Sequence, residues 1–352
     1  MRILIVTDAW EPQVNGVVNT LRWVTAELAR QGHAVGLLTP RDFRSLPCPT
    51  YPEIRLALTG PRGVARRIEA FAPEAIHIAT EGPLGHLARR YCRRRRLPFT
   101  TAFHTQFPEY IHARVRLPVS WSYRYMRAFH RPAARTMVAT AGLRRRLEGR
   151  GFEHLAIWGR GVDLQLFKPG PKSFLDLPRP IFLYVGRVAV EKNLRPFLDL
   201  PLEGSKLVVG DGPSLEGYRR SFPDVEFVGA KFGQDLANHF AAADVFVFPS
   251  RTDTFGLVLL EALASGLPVA AYPVTGPLDV INGADVGVLD EDLAVAARRA
   301  LAIPAARCRT FAERFSWQAS AAQFLGNLAP FSEPQPSPLA AAETGPATPL
   351  SA

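Results

Sequence analysis

Two acidic residues, Asp253 and Glu261, stand eight positions apart in this chain of 352 residues. Asp253 precedes a predicted helix that opens near Phe255 and Gly256, and Glu261 lies on that helix. At about 3.6 residues per turn, the stretch from Gly256 to Glu261 rises only about one and a half turns. The two acids can therefore hold different parts of one ligand, while the N–H groups of Gly256 and Leu257 point at a bound phosphate.

Glu261 is the more informative of the two acids. It interrupts the apolar run Leu-Val-Leu-Leu-Glu-Ala-Leu-Ala, and a charge within such a helix has to be paired or bound to something. The alternative interpretation is that Asp253 caps the helix and Glu261 is an exposed helix acid. The apolar surroundings of Glu261 argue against that alternative.

Two cations, Arg187 and Lys192, follow the first predicted strand of the second half of the chain. Cations at the mouth of a parallel sheet suit a pyrophosphate group. Taken alone, this segment is better interpreted as a solvated basic loop. The paired acids further along the chain favour the interpretation as a pyrophosphate-binding segment.

Two glycine-containing turns lead from a strand into a helix. The first ends at Gly16, and a glycine at a helix start lets an anion approach the exposed N–H groups, although most such loops are simple turns. The second, Val209–Pro213, contains Gly-x-Gly but lacks the full G-x-G-x-x-G and an acid about 20 residues on. A nicotinamide-dependent oxidoreductase is therefore poorly supported.

Short apolar strands alternate with helices in both halves, which predicts α/β domains whose parallel sheets are covered on both faces. In this architecture ligands bind at the carboxyl ends of the strands. The predicted strands are Ile3–Val6, Ala34–Leu38, Ala75–Ala79, Phe99–Ala102, Met137–Ala139, Ile181–Val185, Lys206–Val209, Val225–Phe227, Val245–Phe248 and Val269–Ala271. The predicted helices include Val17–Arg30, Leu84–Arg94, Ser214–Arg220, Asp235–Ala242 and Gly256–Ala264.

The composition is that of a globular protein, with 47% hydrophobic and 21% charged residues, and the length suggests two domains. No apolar run approaches the ~18 residues that span a bilayer, and the apolar start is too short for a signal peptide. Cys48, Cys92 and Cys308 are odd in number and far apart, which indicates neither a disulfide framework nor a zinc site. We expect a cytoplasmic protein.

The net charge of +10 is unevenly distributed. Residues 1–165 hold 26 arginines, no lysine and 12 acids, a net +14, whereas residues 166–352 hold 16 basic and 20 acidic residues, a net −4. Arginine clusters at Arg89–Arg96 and Arg144–Arg146 flank a segment that mixes arginine with aromatic residues. Such a face suits the inner surface of an anionic membrane, although a solvated helix face explains it about as well. Nucleic acid is not an expected partner, because no helix-turn-helix, RNA-binding or zinc pattern occurs.

The paired acids resemble the motif of retaining glycosyltransferases of the GT-B fold, family 4 (glycosyltransferase group 1). In that family the two acids bind the sugar and the ribose of a nucleotide-sugar donor. Three other segments are similar to family motifs: Thr101–Tyr110 to the active-site histidine segment, Ile78–Gly85 to a cleft loop, and Phe311–Leu328 to the C-terminal helix. The resemblance implies catalytic roles for His104, Asp253, Arg187 and Lys192, donor contacts for Gly16, Arg187, Lys192, Phe255, Gly256, Leu257 and Glu261, and cleft positions for Glu81 and Tyr110.

The resemblance also implies an organisation in which two Rossmann-like domains turn parallel sheets toward a central cleft. Residues 1–165 are the expected acceptor domain and 166–310 the donor domain. A C-terminal helix over 311–330 crosses back to the first domain, and a disordered tail over 331–352 follows. One departure is that Asp253 stands where most members have Glu, a pattern similar to a subgroup of mannosyltransferases and glycolipid synthases.

The activity implied is transfer of a hexose, with retention, from GDP-mannose or a UDP-hexose to a membrane lipid or glycolipid. No cofactor or metal is expected: Asp290-Glu-Asp292 begins a predicted helix, where acids are common caps. Two alternatives stay open, namely a basic protein that binds a polyanion or nucleic acid, and a glycosyltransferase with a soluble or polysaccharide acceptor.

Overall fold

The computed structural model describes residues 1–13, 15–48, 51–104, 119–252, 255–281 and 283–331. Fourteen strands lie within these ranges. They are β1 Arg2–Val6, β2 Ala34–Leu38, β3 Ser45–Cys48, β4 Tyr51–Ala57, β5 Ala75–Ile78, β6 Thr100–Phe103, β7 Arg135–Val138, β8 Leu155–Ile157, β9 Ile181–Val185, β10 Ser205–Val209, β11 Glu226–Gly229, β12 Val245–Phe248, β13 Val269–Ala271 and β14 Gly287–Leu289.

Helices connect these strands. The α-helices of the described ranges are Gly16–Arg30, Pro61–Phe71, Pro83–Arg95, Val119–His130, Ala141–Glu148, Arg195–Leu198, Leu215–Ser221, Gly233–Ala242, Leu257–Ala264, Thr275–Ile281, Leu293–Ala300, Ala305–Ala312 and Trp317–Asn327, and short 3-10 turns lie at Pro40–Asp42, Lys172–Phe174 and Val190–Lys192. No described helix is long and apolar enough to cross a membrane.

Two six-stranded parallel sheets form the two halves, as predicted. Their strand orders are β2-β1-β5-β6-β7-β8 and β11-β10-β9-β12-β13-β14. Strands β5, β6, β9 and β12 are buried along their whole length, which explains why they read as continuous apolar runs rather than as alternating ones.

The sequence does not predict four of the observed strands. The antiparallel hairpin of β3 and β4 was missed because each strand contains a proline, which weakens a strand prediction. Strands β8 and β14, at the outer edges of the two sheets, have only three residues each. Such short segments carry little periodicity to recognise.

Each sheet has one point where the strand order reverses, between β1 and β5 in the first and between β9 and β12 in the second. Loops that follow the two strands at such a point diverge to opposite faces and leave a crevice between them. The predicted site residues Gly16 and Glu81 lie beyond β1 and β5, and Arg187 and Gly256 lie beyond β9 and β12. The topology therefore brings the predicted motifs to two crevices.

The helix Trp317–Asn327 lies against the first half of the chain, although it follows the second half in sequence. The Trp317 ring stacks on Trp23, with centroids 5.7 Å apart and planes 6° from parallel. Gln323 Oε1 accepts a hydrogen bond from the Gly159 N–H at 2.8 Å.

The domain limits at 165 and 310 remain predictions. From residue 332 onward, the predicted tail lies outside the described residues.

The two halves also touch beside the cleft. Thr140 Oγ1 donates to Asp279 of the second half, and Arg146 donates to Thr275. A Cβ on Gly142 would lie 1.8 Å from Asp279 Oδ1, so the glycine lets the Asp279 side chain take this position without a shift. These contacts fix the helix Ala141–Glu148 against the helix Thr275–Ile281.

Candidate active site

The structure brings the two predicted cations to the crevice of the second sheet. Arg187 lies just beyond β9, and Lys192 ends the 3-10 turn that follows. Asn193 Nδ2 donates to the carbonyl oxygen of Pro249 at 3.0 Å, and Thr252 Oγ1 donates to a carbonyl of the same turn at 3.3 Å. The loop after β9 is therefore tied to the loop after β12, which leads to the predicted paired-acid segment.

Gly256 begins the helix Leu257–Ala264 in a left-handed conformation, with φ of +80°. A residue with a Cβ adopts this conformation only at a cost. No side chain of the described residues caps this helix, and Phe255 is buried beside its start. Across the cleft, a Cβ on Gly16 would lie 3.7 Å from Leu257 Cδ1. The glycine loop of the first half therefore faces the helix start of the second.

Glu261 is partly buried one turn into this helix. Burial raises the pKa of its carboxyl from 4.5 to about 7. The carboxyl group has no hydrogen bond or ion pair with another residue in the described part of the chain. An ionised carboxyl group in this partly buried position is costly without a partner, and hydroxyl groups of a ligand are suitable hydrogen-bond donors to it.

His104 lies directly after β6, in the first half of the chain, whereas the loop of Arg187 and the helix start at Gly256 belong to the second half. Its Nδ1 is 3.1 Å from Nη2 of Arg160, and its ring meets Trp158 edge-on with centroids 5.4 Å apart. Burial, followed by the charge of Arg160 and the neighbouring imidazoles of His77 and His130, lowers the pKa of His104 well below 6.5. The imidazole is therefore neutral at pH 7.

Glu81 lies in the loop after β5, at the crevice of the first sheet. Its Oε1 is 3.1 Å from Nε2 of His130, a buried residue whose Nδ1 is 2.9 Å from Thr101 Oγ1. Thr101 Oγ1 is in turn 3.0 Å from Thr136 Oγ1. The Glu81 carboxyl group is thus held by a chain of buried polar side chains that reaches into the first sheet.

Asp8 supports the same loop, a role that sequence reasoning missed. Its carboxyl group accepts hydrogen bonds from the N–H groups of Leu84 (2.9 Å) and Gly85 (3.2 Å), at the start of a helix. Burial is the largest cause that raises the pKa of Asp8, and these hydrogen bonds oppose it. A Cβ on Gly82 would lie 2.4 Å from Asp8 Cγ, so the glycine admits the carboxyl group.

Arg160 is the other missed residue of the site. The sequence marks it only as the beginning of the glycine- and proline-containing segment Arg160–Pro171 between the two halves. In the structure its side chain is buried and lies over the Trp158 ring, 4.6 Å from the centroid. The signal that was available is an arginine placed two residues after the apolar segment that ends at Trp158.

Two further motifs have structural explanations. A Cβ on Gly210 would lie 1.9 Å from Gly186 O, and one on Gly212 would lie 2.3 Å from Val188 O, so these glycines let two loops pack together. Asp292 accepts hydrogen bonds from two N–H groups at the start of the helix Leu293–Ala300, which confirms the predicted cap. Asp253 and Tyr110 lie outside the described residues, and their roles remain predictions.

The fold is that of a two-domain α/β protein with a crevice at the carboxyl edge of each parallel sheet, and sequence relatives identify its family. Residues 14–166 match Glycosyltransferase Family 4, and residues 179–305 match Glycosyl transferases group 1. The GDP-mannose-dependent alpha-mannosyltransferase of Mycobacterium tuberculosis is 30% identical over 318 residues, which cover 82% of this chain and 83% of that protein. The chain therefore belongs to glycosyltransferase family 4 and is a glycosyltransferase.

Other relatives agree with this assignment. The alpha-monoglucosyldiacylglycerol synthase of Streptococcus pneumoniae is 28% identical over 369 residues, covering 92% of this chain and 83% of that protein. Sucrose-phosphate synthase from Thermosynechococcus elongatus has a TM-score of 0.71 at 24% identity, covering 92% of this chain and 97% of that one. Anabaena HepE in complex with UDP has a TM-score of 0.69 at 16% identity, covering 93% and 99%. These structures confirm the predicted GT-B fold.

Proposed function

We propose that the protein transfers a hexose from a nucleoside-diphosphate sugar to a membrane lipid or glycolipid, with retention and without a metal. The observation that carries the proposal is the meeting of two elements at the crevice of the second sheet: the loop of Arg187 and Lys192, and the helix start at Gly256. GDP-mannose is the donor named for the Mycobacterium tuberculosis relative, and UDP is bound by the Anabaena neighbour.

The donor side has the charges that this reaction needs. As the glycosidic bond breaks, negative charge grows on the departing diphosphate, and cations with helix N–H groups stabilise it. Arg187, Lys192 and the N–H groups after Gly256 supply that stabilisation. Glu261 accepts hydrogen bonds from hydroxyl groups at one end of the nucleotide-sugar. Asp253 has the same role at the other end of the nucleotide-sugar.

Retention follows from attack on the face that the diphosphate leaves. The acceptor hydroxyl approaches beside the departing phosphate, which takes its proton, so no carboxylate of the protein has to form a covalent intermediate. The neutral ring of His104 hydrogen-bonds the transferred sugar, and Glu81 lies on the acceptor side of the cleft.

The acceptor proposal rests on one face of the first half, which we call the arginine face. It comprises Arg90, Arg93 and Arg94 of the helix Pro83–Arg95 with Trp121 and Tyr125 of the helix Val119–His130, and all five are exposed. An open groove of about 610 Å³ runs along the first of these helices. Arginine with interfacial aromatic residues is the combination that binds anionic lipid surfaces. The Streptococcus pneumoniae relative is named as a glycolipid synthase.

Calorimetry with GDP, UDP, ADP and NAD tests the donor. We expect one nucleoside diphosphate to bind and NAD not to bind, and Glu261→Ala should abolish binding of the corresponding sugar nucleotide. Unchanged affinity in that variant, or binding of NAD alone, would refute the donor proposal. Exposed Glu203→Ala, on the surface of the same half, is the matched control.

Transfer assays test the acceptor and the metal requirement. With the donor identified, labelled sugar should appear in lipid extracts of vesicles that contain diacylglycerol glycolipids, and chelation by EDTA should leave the rate unchanged. Transfer only to soluble glycosides or polysaccharide would overturn the lipid proposal. Inversion at the anomeric carbon, detected by NMR of the product, would overturn retention.

A further inference from the structure

Trp158 connects the histidine of the cleft with the C-terminal helix. Its side chain is fully buried, and its Nε1 donates to Ser320 Oγ at 3.2 Å. Phe324 of the same helix lies against its ring, with centroids 4.8 Å apart, and His104 meets the ring edge-on. The indole is therefore held by Trp317–Asn327 on one side and contacts His104 on the other.

Arg160 is fixed on this indole by several contacts. Its Nη1 donates to the carbonyl oxygens of Trp158 at 2.6 Å and Gly159 at 3.2 Å, and its guanidinium lies over the Trp158 ring. Its Nη2 points to Nδ1 of His104 at 3.1 Å. Among the described residues no carboxylate forms an ion pair with Arg160. His104 is the side chain to which the Arg160 guanidinium donates a hydrogen bond.

The direction of this hydrogen bond is set by chemistry. A guanidinium group has only donors, so Nδ1 of His104 has to be the acceptor. A neutral imidazole has one donor and one acceptor nitrogen, and the proton must then lie on Nε2.

We propose that Arg160 is a positioning residue that holds His104 as the neutral Nε2–H tautomer, so that the imidazole donates a hydrogen bond to the sugar. The inference rests on the proposed role of His104 at the donor sugar. Without Arg160 the ring could rotate or take the other tautomer and present an acceptor instead. The Nε2–H tautomer suits a sugar hydroxyl oxygen, which can accept this bond while its own proton bonds elsewhere.

The charges around His104 support this arrangement. Burial is the largest cause that lowers the pKa of His104, followed by Arg160, His77 and His130. Burial lowers the pKa of Arg160 to about 9, so the guanidinium keeps its charge at pH 7 and remains a donor. His77 is itself neutral at that pH, because burial lowers its pKa to about 3.

The segment Trp158–Arg160 receives its support from the C-terminal helix. Ser320 Oγ donates to the carbonyl oxygen of Gly159 at 2.9 Å, and Gln323 accepts the N–H of the same residue. The crossing helix is therefore joined to His104 through one continuous set of hydrogen bonds and ring contacts. Loss of this helix should disturb the His104 ring as well as the stability of the first half.

Nitrogen-15 NMR of the full chain with labelled histidine tests the tautomer directly, and His104→Gln assigns the signal. In the wild type we expect a neutral ring with its proton on Nε2 from pH 6 to pH 8. In Arg160→Met we expect a mixture of tautomers and a higher pKa of His104. A proton on Nδ1 in the wild type, or an unchanged tautomer in Arg160→Met, would overturn the inference.

Kinetics separate positioning from stability. Arg160→Met should lower kcat by about 10- to 100-fold with little change in KM for the donor, and the acid limb of the pH profile should move to higher pH. Arg150→Met is the control, since Arg150 is exposed and stacks on Tyr123 at 3.9 Å without contacting His104. Equal losses in both variants would count against positioning. If the wild type transfers no sugar, the proposed function fails while the NMR result still decides the tautomer.

Discussion

The carboxyl group of Glu261 costs the ligand-free protein stability, because its surroundings raise its pKa from 4.5 to about 7. In the unfolded chain this group has lost its proton by about pH 5, whereas in the folded chain it is still protonated there. The folded state is therefore favoured at low pH, and this contribution is lost as pH rises from about 4.5 to about 7. Above pH 7 the full cost is present.

Glu261→Gln should remove that cost. We expect the melting temperature of the ligand-free protein to rise by a few degrees at pH 8 and to change less at pH 5, because only the ionised carboxyl is penalised. Scanning calorimetry at the two pH values is the measurement. Glu203→Gln should change neither value, since that side chain is exposed. A gain of the same size at both pH values would show that ionisation is not the cause.

Residues of the site differ in how far the sequence could reveal them. Glu261 was recognisable because a charge within an apolar helix is a local anomaly. Arg160 was not, because its contact with His104 spans 56 residues and only the fold brings the two together. Asp8 was hidden for the same reason, as the N–H groups that it binds lie more than 70 residues away.

The helix Leu257–Ala264 depends on the left-handed conformation of the glycine at its start. In Gly256→Ala the new Cβ would meet Leu259 Cδ1 and Phe248 Cζ, both at 3.2 Å, in addition to the strain of a positive φ. We expect a loss of roughly 1–2 kcal/mol in the free energy of unfolding and weaker binding of nucleoside diphosphate. Chemical denaturation and calorimetry measure the two effects.

Gly217→Ala is the matched control for this element. Gly217 lies inside the helix Leu215–Ser221, and a Cβ there would meet no atom within 4 Å. That variant should gain roughly 0.5–1 kcal/mol in stability, because alanine is the better helix former, and should bind nucleotide as the wild type does. Should Gly256→Ala behave like Gly217→Ala, the tight turn at the helix start would not constrain the site.

The helices and strands that the sequence predicted are those whose pattern of apolar residues matches their burial in the fold. Strands such as β9 and β12 are apolar on both faces because helices cover both faces of the sheet. The crossing of the C-terminal helix could not be derived from its own residues. Trp317 marks an apolar face, but only the resemblance to the family indicates which half covers it.

The net charge is distributed unevenly over the whole molecule. It is +14 over residues 1–165 and −4 over residues 166–352. The proposed donor site explains little of the excess, because the two cations and the helix start that we assign to the diphosphate lie in the less basic half. Within the arginine face, Arg90, Arg93 and Arg94 lie exposed along one side of the helix Pro83–Arg95. An anionic surface outside the donor site is the partner that this distribution suits.

Replacing Arg90, Arg93 and Arg94 by glutamine should therefore weaken membrane binding without weakening donor binding. At about 1 kcal/mol for each arginine near an anionic surface, we expect the affinity for phosphatidylglycerol vesicles to fall on the order of 100-fold at low salt. The triple variant Arg219, Arg220 and Arg299 to glutamine makes the same charge change on the second half and should keep its affinity.

Vesicle flotation measures both variants, with neutral phosphatidylcholine vesicles and raised salt as further comparisons. Wild-type binding should be lost in 0.5 M salt, because charges at a surface are screened within a few ångströms there. Equal losses in the two triple variants would assign the binding to net charge rather than to the arginine face. Failure of the wild type to float with anionic vesicles at low salt would remove the membrane from the proposal, while the donor site of Arg187, Lys192 and Glu261 would stand on its own test.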